Sequence, residues 1–306
     1  MNHGFTYTGI VGAQDDGVPL LDYLAARFAH TARSGWGERI GAGLVQVDGR
    51  AACAETRLAR GQRVAWTRPP WEEPEVPLGF AVLYEDEDLV AVAKPSGLPT
   101  QPNGGFLEHT LLHLVRLRYP GASPIHRLGR GTSGLVVFSR STEANRALCE
   151  SFRQRDVLKV YRALVEGHPT AEAFTVEAPI GPVPHAALGT VHAASAAGKA
   201  ARSHMQVIER REAASLVEVR IETGRPHQIR IHAAVSGHPL VGDPLYAPGG
   251  GAREGTAALP GDTGYLLHAF RLGLPHPRTG RRIELECQPP PALRRPPARM
   301  QGGAQR

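Results

Sequence analysis

The chain has 306 residues, of which 42% are hydrophobic, so it is long enough to bury one large core and a smaller one. It carries a net charge of +6, and all but three of its 35 basic residues are arginines, which favours an anionic partner such as RNA. No segment approaches the roughly 18 apolar residues of a membrane helix, and the N-terminus lacks a secretory pattern, so we expect a cytoplasmic protein.

The cysteines and histidines give no pattern typical of a metal site. Cys53, Cys149 and Cys287 lie far apart without a CxxC pair, so we expect buried thiols rather than disulfides or zinc ligands. The histidines form no HExxH motif, and His227 and His232 are five residues apart, off one helical face. We therefore predict no metal site.

Hydrophobic spacing predicts a small module over residues 16–68, after an N-terminal segment (1–15) and before a Pro-rich linker (69–79). Apolar residues recur at helical intervals over 18–29, a second short helix follows at 34–43, and LVQVDGR has the Asp-Gly turn of a hairpin. The linker TRPPWEEPEVP cannot continue a helix or a central strand.

The order of these elements is accompanied by a set of residues, namely Ser34, Arg39, Ile40, Gly43, Val45, Val47, Asp48, Gly49 and Gly61. With these residues the module resembles the small RNA-binding module shared by a ribosomal small-subunit protein and tyrosyl-tRNA synthetases. A small α+β packing domain is the alternative, because Trp36 and Glu38 are not basic.

Residues 80–290 read as alternating strands and helices of an α+β domain. Two strands flank an acidic turn at 84–88, and amphipathic helices are predicted over 109–119 and after the N-cap Ser141. Strands follow at 158–167 and 215–224, then a short helix after Arg225 and a terminal strand pair. Residues 291–306 are too rich in Pro, Gly and Arg to pack, so a disordered basic tail is expected.

Each polar motif in this domain has a structural explanation when taken alone. The glycines of GRGTSG, residues 129–134, could simply permit positive φ angles, and TGRPHQIR could be a capped helix start. GRGTSG lacks the GK[ST] of a phosphate loop, and Ser133 lacks the GxSxG context of a hydrolase nucleophile.

The domain contains five motifs in the order KPSGLPTQP, HRLGRGTSGLVVFSRS, LKVYRALVEG, TGRPHQIRIHAAVSGHPLVGDPLY and LLHAFRLGLPHPRTG. Taken together and in this order, they closely resemble the motifs of RluA-type RNA pseudouridine synthases. The resemblance implies an α+β fold with a mixed, largely antiparallel central sheet and a cleft. It also implies a cofactor-free isomerase that converts uridine to pseudouridine in ribosomal or transfer RNA.

The resemblance assigns roles to several side chains. Tyr161 would be the aromatic wall for the uracil and a possible proton acceptor, and Arg225 would pair with the catalytic carboxylate. Asp243 is expected to cap a turn and His126 to bond within the fold, whereas Lys94 could either shape its loop or touch RNA. The expected RNA contacts are Arg127, Arg130, Lys94 and Arg230.

The carboxylate itself should directly follow HRL, where this chain has Gly129, which offers neither nucleophile nor base. Three explanations remain open. Another acid is recruited, either Asp156 or one in the 85–88 turn; the chain is a catalytically inactive RNA-binding or RNA-remodelling protein; or a divergent subgroup uses Tyr161 and phosphate-bound water.

Overall fold

The computed structural model describes residues 1–29, 31–253, 255–256 and 258–295. The chain forms two compact units, Met1–Glu73 and a larger one that starts at Pro74. In the described ranges, no helix combines the length and the hydrophobicity needed to cross a membrane.

The first unit packs two helices on one face of a four-stranded sheet. The predicted helix, short helix and hairpin are confirmed as α1 (Leu20–Arg27), α2 (Arg33–Gly41), β2 (Val45–Val47) and β3 (Arg50–Ala51). The sheet has the order β1-β4-β2-β3, in which β1 (Phe5–Ile10) pairs along its length with β4 (Arg63–Arg68). The separate N-terminal segment predicted over 1–15 is therefore wrong, because its middle is an edge strand of this sheet.

The Pro-rich segment after β4 contains no helix or strand. Its first residues nevertheless pack on the first unit, since the Asn2 amide donates to Glu73 Oε1 at 2.7 Å and the Asn2 N–H donates to the Trp71 carbonyl. The connection between the units thus begins later than the predicted start at residue 69.

The second unit contains one large sheet, a separate two-stranded ribbon and three helices, α3 (Leu111–Arg118), α4 (Thr142–Arg153) and α5 (Gln228–Val235). Its strands are β5 (Ala81–Glu85), β6 (Leu89–Lys94), β7 (Ser123–Pro124), β8 (Ser133–Ser139), β9 (Leu158–Glu166), β10 (Ala173–Val176), β11 (Ile180–His185), β12 (Gly189–Ala194), β13 (Ser203–Arg210), β14 (Ala214–Ile221), β15 (Leu267–Pro275) and β16 (Arg282–Glu286).

The large sheet has the order β10-β13-β14-β9-β15-β8-β6-β5, with β16 beside β15 and β7 beside β8. Its pairs are antiparallel except β8 with β15. The predicted α+β class with a mixed, largely antiparallel sheet is confirmed. The ribbon β11–β12 and strand β10 were not predicted, because two prolines in β11 argue against a strand and are tolerated only in such a peripheral pair.

Two compositional expectations are corrected. Residues 291–295 pack, since a 3₁₀ turn at Pro291–Leu293 buries Leu293 against Leu164 and Leu216; residues 296–306 lie outside the described residues. Of the three thiols, Cys287 is buried, whereas Cys149 is half-buried and Cys53 is exposed.

A single row across the large sheet positions the motif loops. Lys94 of β6 pairs with Gly134 of β8, Gly134 with Ala269 of β15, and Ala269 with Tyr161 of β9. Gly134 has a φ of +109°, and a Cβ there would lie 2.3 Å from the Ala269 carbonyl oxygen. Strands β8 and β15 can therefore pair at this position only if residue 134 is a glycine. The row brings the loop before β8 close to β9, the strand that carries Tyr161.

Replacing Gly134 by alanine should therefore destabilise the second unit by about 3 kcal/mol or more, because the methyl group collides with backbone and the φ is strained. Gly189 is the matched control, since its φ is +70° and no atom lies within 4 Å of its Cβ position. Gly189→Ala should cost only about 1 kcal/mol. Urea unfolding measures both, and equal losses would contradict the register described above.

Candidate active site

The loop from His126 to Thr132 is fixed by hydrogen bonds to the segment that follows β6. Ser96 Oγ donates to the Gly131 carbonyl at 2.7 Å. Thr100 Oγ1 donates to the Leu128 carbonyl at 2.9 Å and accepts from the Leu128 N–H at 3.2 Å. His126 bonds within the fold as expected, because its Nε2 accepts from the Val137 N–H. The loop therefore has a defined shape.

Lys94 lies beneath this loop and is not an RNA contact, which corrects the sequence prediction. The residue is 2% exposed, and its ammonium donates to the carbonyls of Pro95, Leu98 and Arg130 at 3.0, 2.6 and 3.2 Å. Burial lowers its pKa to about 7. Of the two roles left open for Lys94, loop shaping is the one its contacts support.

The empty side-chain position of Gly129 faces Tyr265. A Cβ at Gly129 would lie 3.0 Å from the Tyr265 hydroxyl oxygen, and one at Gly131 would lie 2.9 Å from the ring. The same hydroxyl is 3.3 Å from Thr132 Oγ1. Neither Gly129 nor Gly131 has a positive φ, so that explanation applies only to Gly134. These two glycines instead make room for the Tyr265 phenol.

Arg230 holds the other side of that phenol and is also unavailable to RNA, contrary to expectation. Its side chain is 2% exposed and forms a two-pronged ion pair with Asp243, both bonds at 2.7 Å. Its guanidinium lies 4.3 Å from the Tyr265 ring centroid. Asp243 Oδ1 also accepts the N–H groups of Leu245 and Tyr246, so the expected turn cap is confirmed.

Arg225 precedes α5 and has no carboxylate partner among the described residues. Its Nε donates to the Ala200 carbonyl at 3.0 Å, and its backbone N–H donates to Gln228 Oε1. Two residues on, His227 takes the left-handed conformation with φ +55° and contacts the Tyr246 hydroxyl at 2.7 Å. Chiefly through burial, the pKa of His227 falls to about 4, so this histidine is neutral at pH 7.

Arg127 and Arg130 are the two exposed or half-exposed cations of the loop. After burial, the dominant cause, the positive charge of Arg127 is one of the smaller causes that lower the pKa of His227. Arg130 donates to the Gly261 carbonyl at 2.9 Å and lies 3.6 Å from Asp262. Both side chains remain candidates for RNA contact.

Tyr161 is half-buried in the sheet row described above. It packs against both large hydrophobic clusters of the second unit. Burial raises its pKa to about 12. Its packing between the two clusters fits the role of an aromatic wall.

The substitute acids considered from sequence lie elsewhere. The 85–88 turn precedes Leu89, which pairs with Ser139, five residues along β8 from Gly134, or about 17 Å. Asp156 pairs with Arg282 at 3.1 Å and lines a cavity of about 350 Å³ with Arg155, Arg220 and Glu222. Neither that cavity nor a second, of about 340 Å³, is lined by Arg127, Tyr161 or Arg225.

One group of metal-ligand-type side chains is found in the described part of the chain. Atoms of Asp86, Asp88 and His276 lie within 4.8 Å of one another. His276 contacts Asp86 at 2.9 Å, and Arg278 contacts Asp88 at 2.8 Å. These pairs clamp the β5–β6 turn to the β15–β16 turn, far from the loop of Gly129.

Comparison with known proteins matches residues 88–235 to the family model described as RNA pseudouridylate synthase. An uncharacterized RNA pseudouridine synthase of Synechocystis sp. (strain ATCC 27184 / PCC 6803 / Kazusa) is 44% identical over 90% of this chain and 95% of its own. Ribosomal large subunit pseudouridine synthase D of Vibrio parahaemolyticus is 31% identical, covering 90% and 88%. The solved human RNA pseudouridylate synthase domain containing 1 is 26% identical with a TM-score of 0.56, covering 73% and 89%.

The chain belongs to the RluA-type RNA pseudouridine synthase family. It is accordingly an isomerase that acts on RNA, and the inactive RNA-binding protein considered as an alternative is not favoured.

Tyr265 is the residue of this pseudouridine synthase site that sequence reasoning missed. It stands one position before the quoted motif LLHAFRLGLPHPRTG, and 136 residues separate it from Gly129 (265 − 129). A single tyrosine after a Gly-rich segment has no periodic or motif signal. The available hint was the pair of glycines in GRG, which suggested close approach of another group.

The buried Lys94 predicts a pH dependence of stability. Its pKa is about 7 in the folded chain and 10.5 as the ordinary value, so the unfolded chain binds more protons between these limits. The free energy of unfolding should therefore rise with pH, by about 2 kcal/mol from pH 7 to pH 9 from this group. Below pH 7 the Lys94 ammonium is charged in both the folded and the unfolded chain, so the destabilisation caused by burying that charge is fully present.

Urea unfolding of wild type and Lys94→Met at these two pH values isolates the contribution. The free energy of unfolding should rise more from pH 7 to pH 9 in the wild type than in the variant, and the difference should match the rise assigned to Lys94. An identical pH dependence in both proteins would mean that the ammonium is not desolvated as described.

Proposed function

We propose that this chain converts a uridine of ribosomal RNA to pseudouridine, with transfer RNA as the other candidate substrate. The base leaves the stack, the N1–C1′ bond breaks, and the rotated uracil rejoins the ribose through C5. The named function of the Vibrio relative supports the ribosomal choice.

The observation that carries this proposal is the convergence of the two polar segments on one residue. The Tyr265 hydroxyl lies 3.0 Å from the Cβ position of Gly129, and its ring lies 4.3 Å from the guanidinium of Arg230 on α5, the helix that follows Arg225. A substrate nucleotide there would meet cations from both sides, and phosphate contacts of this kind fix the orientation of a flipped nucleotide.

We assign roles within this region as follows. Arg127, which is exposed, contacts the phosphate of the flipped nucleotide, and Arg130 adds charge at the rim. Tyr161 is the aromatic wall against the uracil. Arg225, with no carboxylate partner among the described residues, directs its guanidinium to an oxygen of the substrate.

The first unit is proposed to add RNA contacts. Arg39 of α2 lies over Trp36 and Trp66 at 4.7 and 4.8 Å, which holds a cation on the helix that carries the RNA-module resemblance. The cytoplasmic location stays a prediction from sequence.

The proposed function is tested by quantifying pseudouridine in ribosomal and transfer RNA, isolated separately, from cells with and without this protein. Ribosomal RNA should lose one or more modified positions in cells without it, and the purified protein should restore them in vitro. Unchanged pseudouridine in both RNA classes, together with no conversion in vitro, would contradict the proposal.

Arg127→Ala should weaken RNA binding and reduce the slope of log affinity against log salt by about 1, because one phosphate contact is lost. Arg146→Ala is the control, since Arg146 is an exposed arginine on α4 outside the site. Filter binding over a range of salt concentrations measures both slopes. The assignment fails if the two variants lower the slope equally.

A further inference from the structure

A side chain at Gly129 would begin within contact distance of a hydroxyl group, that of Tyr265. We propose that the hydroxyl of Tyr265 is the catalytic group that acts in place of the missing carboxylate. This inference rests on the proposed function and names the group that reacts with the substrate.

Position favours Tyr265. A Cβ built on Gly129 would lie 3.0 Å from the Tyr265 oxygen, so a short carboxylate side chain at 129 would be in direct contact with that oxygen. Gly129 is exposed and carries no side chain, and the Tyr265 oxygen beside it is in buried contact with Thr132 Oγ1 at 3.3 Å.

The loop and the Tyr265 phenol are complementary in shape. A Cβ at Gly131 would lie 2.9 Å from two ring carbons and 3.1 Å from the hydroxyl oxygen of Tyr265. These separations are shorter than ordinary carbon contacts, so the ring could not keep its place against any residue with a side chain. The sequence Gly-Arg-Gly and Tyr265 are therefore a matched set.

The Tyr265 phenol is also held rigidly beside a positive charge. Tyr265 is 5% exposed, and its ring lies against the Arg230 guanidinium, which is itself locked by Asp243 and by the Pro260 carbonyl at 3.0 Å. A catalytic group needs such a fixed setting. The buried guanidinium would also stabilise negative charge on the phenol oxygen when that oxygen acts as a leaving group.

Other groups near the loop are less suited. Both oxygens of Asp243 bond to Arg230, and the Tyr161 phenol has its pKa raised to about 12. Among the described residues, Asp262 is the other carboxylate that contacts this loop; its Oδ2 accepts the Leu259 N–H at 2.8 Å, and its Oδ1 lies 3.6 Å from Arg130.

The step balances without a co-reactant. The Tyr265 oxygen bonds to ribose C1′ as the C1′–N1 bond breaks, and the phenol proton passes to N1 of the departing uracil. After the uracil rotates, C5 bonds to C1′ and the phenol oxygen leaves with the C1′–O electron pair. That oxygen takes the C5 proton, which regenerates tyrosine and gives pseudouridine with a proton on N1.

The test uses the purified full chain and substrate RNA transcribed with uridine tritiated at C5, so that tritium release reports loss of the C5 proton. Tyr265→Phe keeps the ring over Arg230 but removes the oxygen, and it should lower the single-turnover rate at least about 10³-fold with RNA affinity within twofold. Tyr84→Phe is the control, because its hydroxyl bonds Asp86 at the remote turn, and it should keep the wild-type rate.

A second variant tests whether a carboxylate at position 129 can replace the Tyr265 hydroxyl. Tyr265→Phe combined with Gly129→Asp removes the hydroxyl that would crowd a side chain at 129 and supplies a carboxylate there. This double variant should recover at least about 10-fold over Tyr265→Phe. A merely structural role for Tyr265 would not produce this rescue, and circular dichroism checks that each variant is folded.

A Tyr265→Phe rate within threefold of an active wild type overturns this inference while leaving the proposed function intact. So does a loss of rate in Asp262→Asn with Tyr265→Phe unaffected, which would assign the role to that carboxylate. Absence of conversion by wild type would instead count against the proposed function and, with it, this inference.

Discussion

The site is organised around the contact of the Tyr265 phenol with the Gly129–Gly131 loop on one side and the Arg230–Asp243 ion pair on the other. A buried ion pair is costly unless its hydrogen-bonding groups are satisfied. Here Asp243 accepts from Arg230 and from two backbone N–H groups, and Arg230 also donates to the Pro260 carbonyl. One pair therefore ties α5, the turn after it and the segment before β15 to the loop.

The large sheet supplies the framework for that contact. The parallel pairing of β8 with β15 joins two antiparallel halves, and Gly134 allows those strands to meet at Ala269. Lys94 joins the loop to the segment after β6, because its ammonium donates to the Arg130 carbonyl of the loop and to the carbonyls of Pro95 and Leu98. The buried ammonium of Lys94 and the buried Arg230–Asp243 ion pair both hold the loop in place. This explains why Lys94 and Arg230 are buried and not exposed for contact with RNA.

The sequence predicted the elements whose signals are local. Helical spacing and the N-cap Ser141 identified α4, and alternation identified β14. Strand β1 and the β11–β12 ribbon were missed because their pairing is set by distant partners or masked by proline. Lys94 and Arg230 were misassigned because a sequence displays charge but not burial, and burial decided their roles. Tyr265 could not be found for the same reason, since its importance arises only from contacts across the fold.

The most direct measurement is a crystal structure of the chain bound to substrate RNA with the target nucleotide in the site. We predict that the Tyr265 oxygen lies within about 3.5 Å of the ribose C1′, with Tyr161 against the uracil, because reacting atoms in a productive complex lie this close. A carboxylate oxygen in that position, or a ribose bound away from Gly129 and Tyr265, would contradict it.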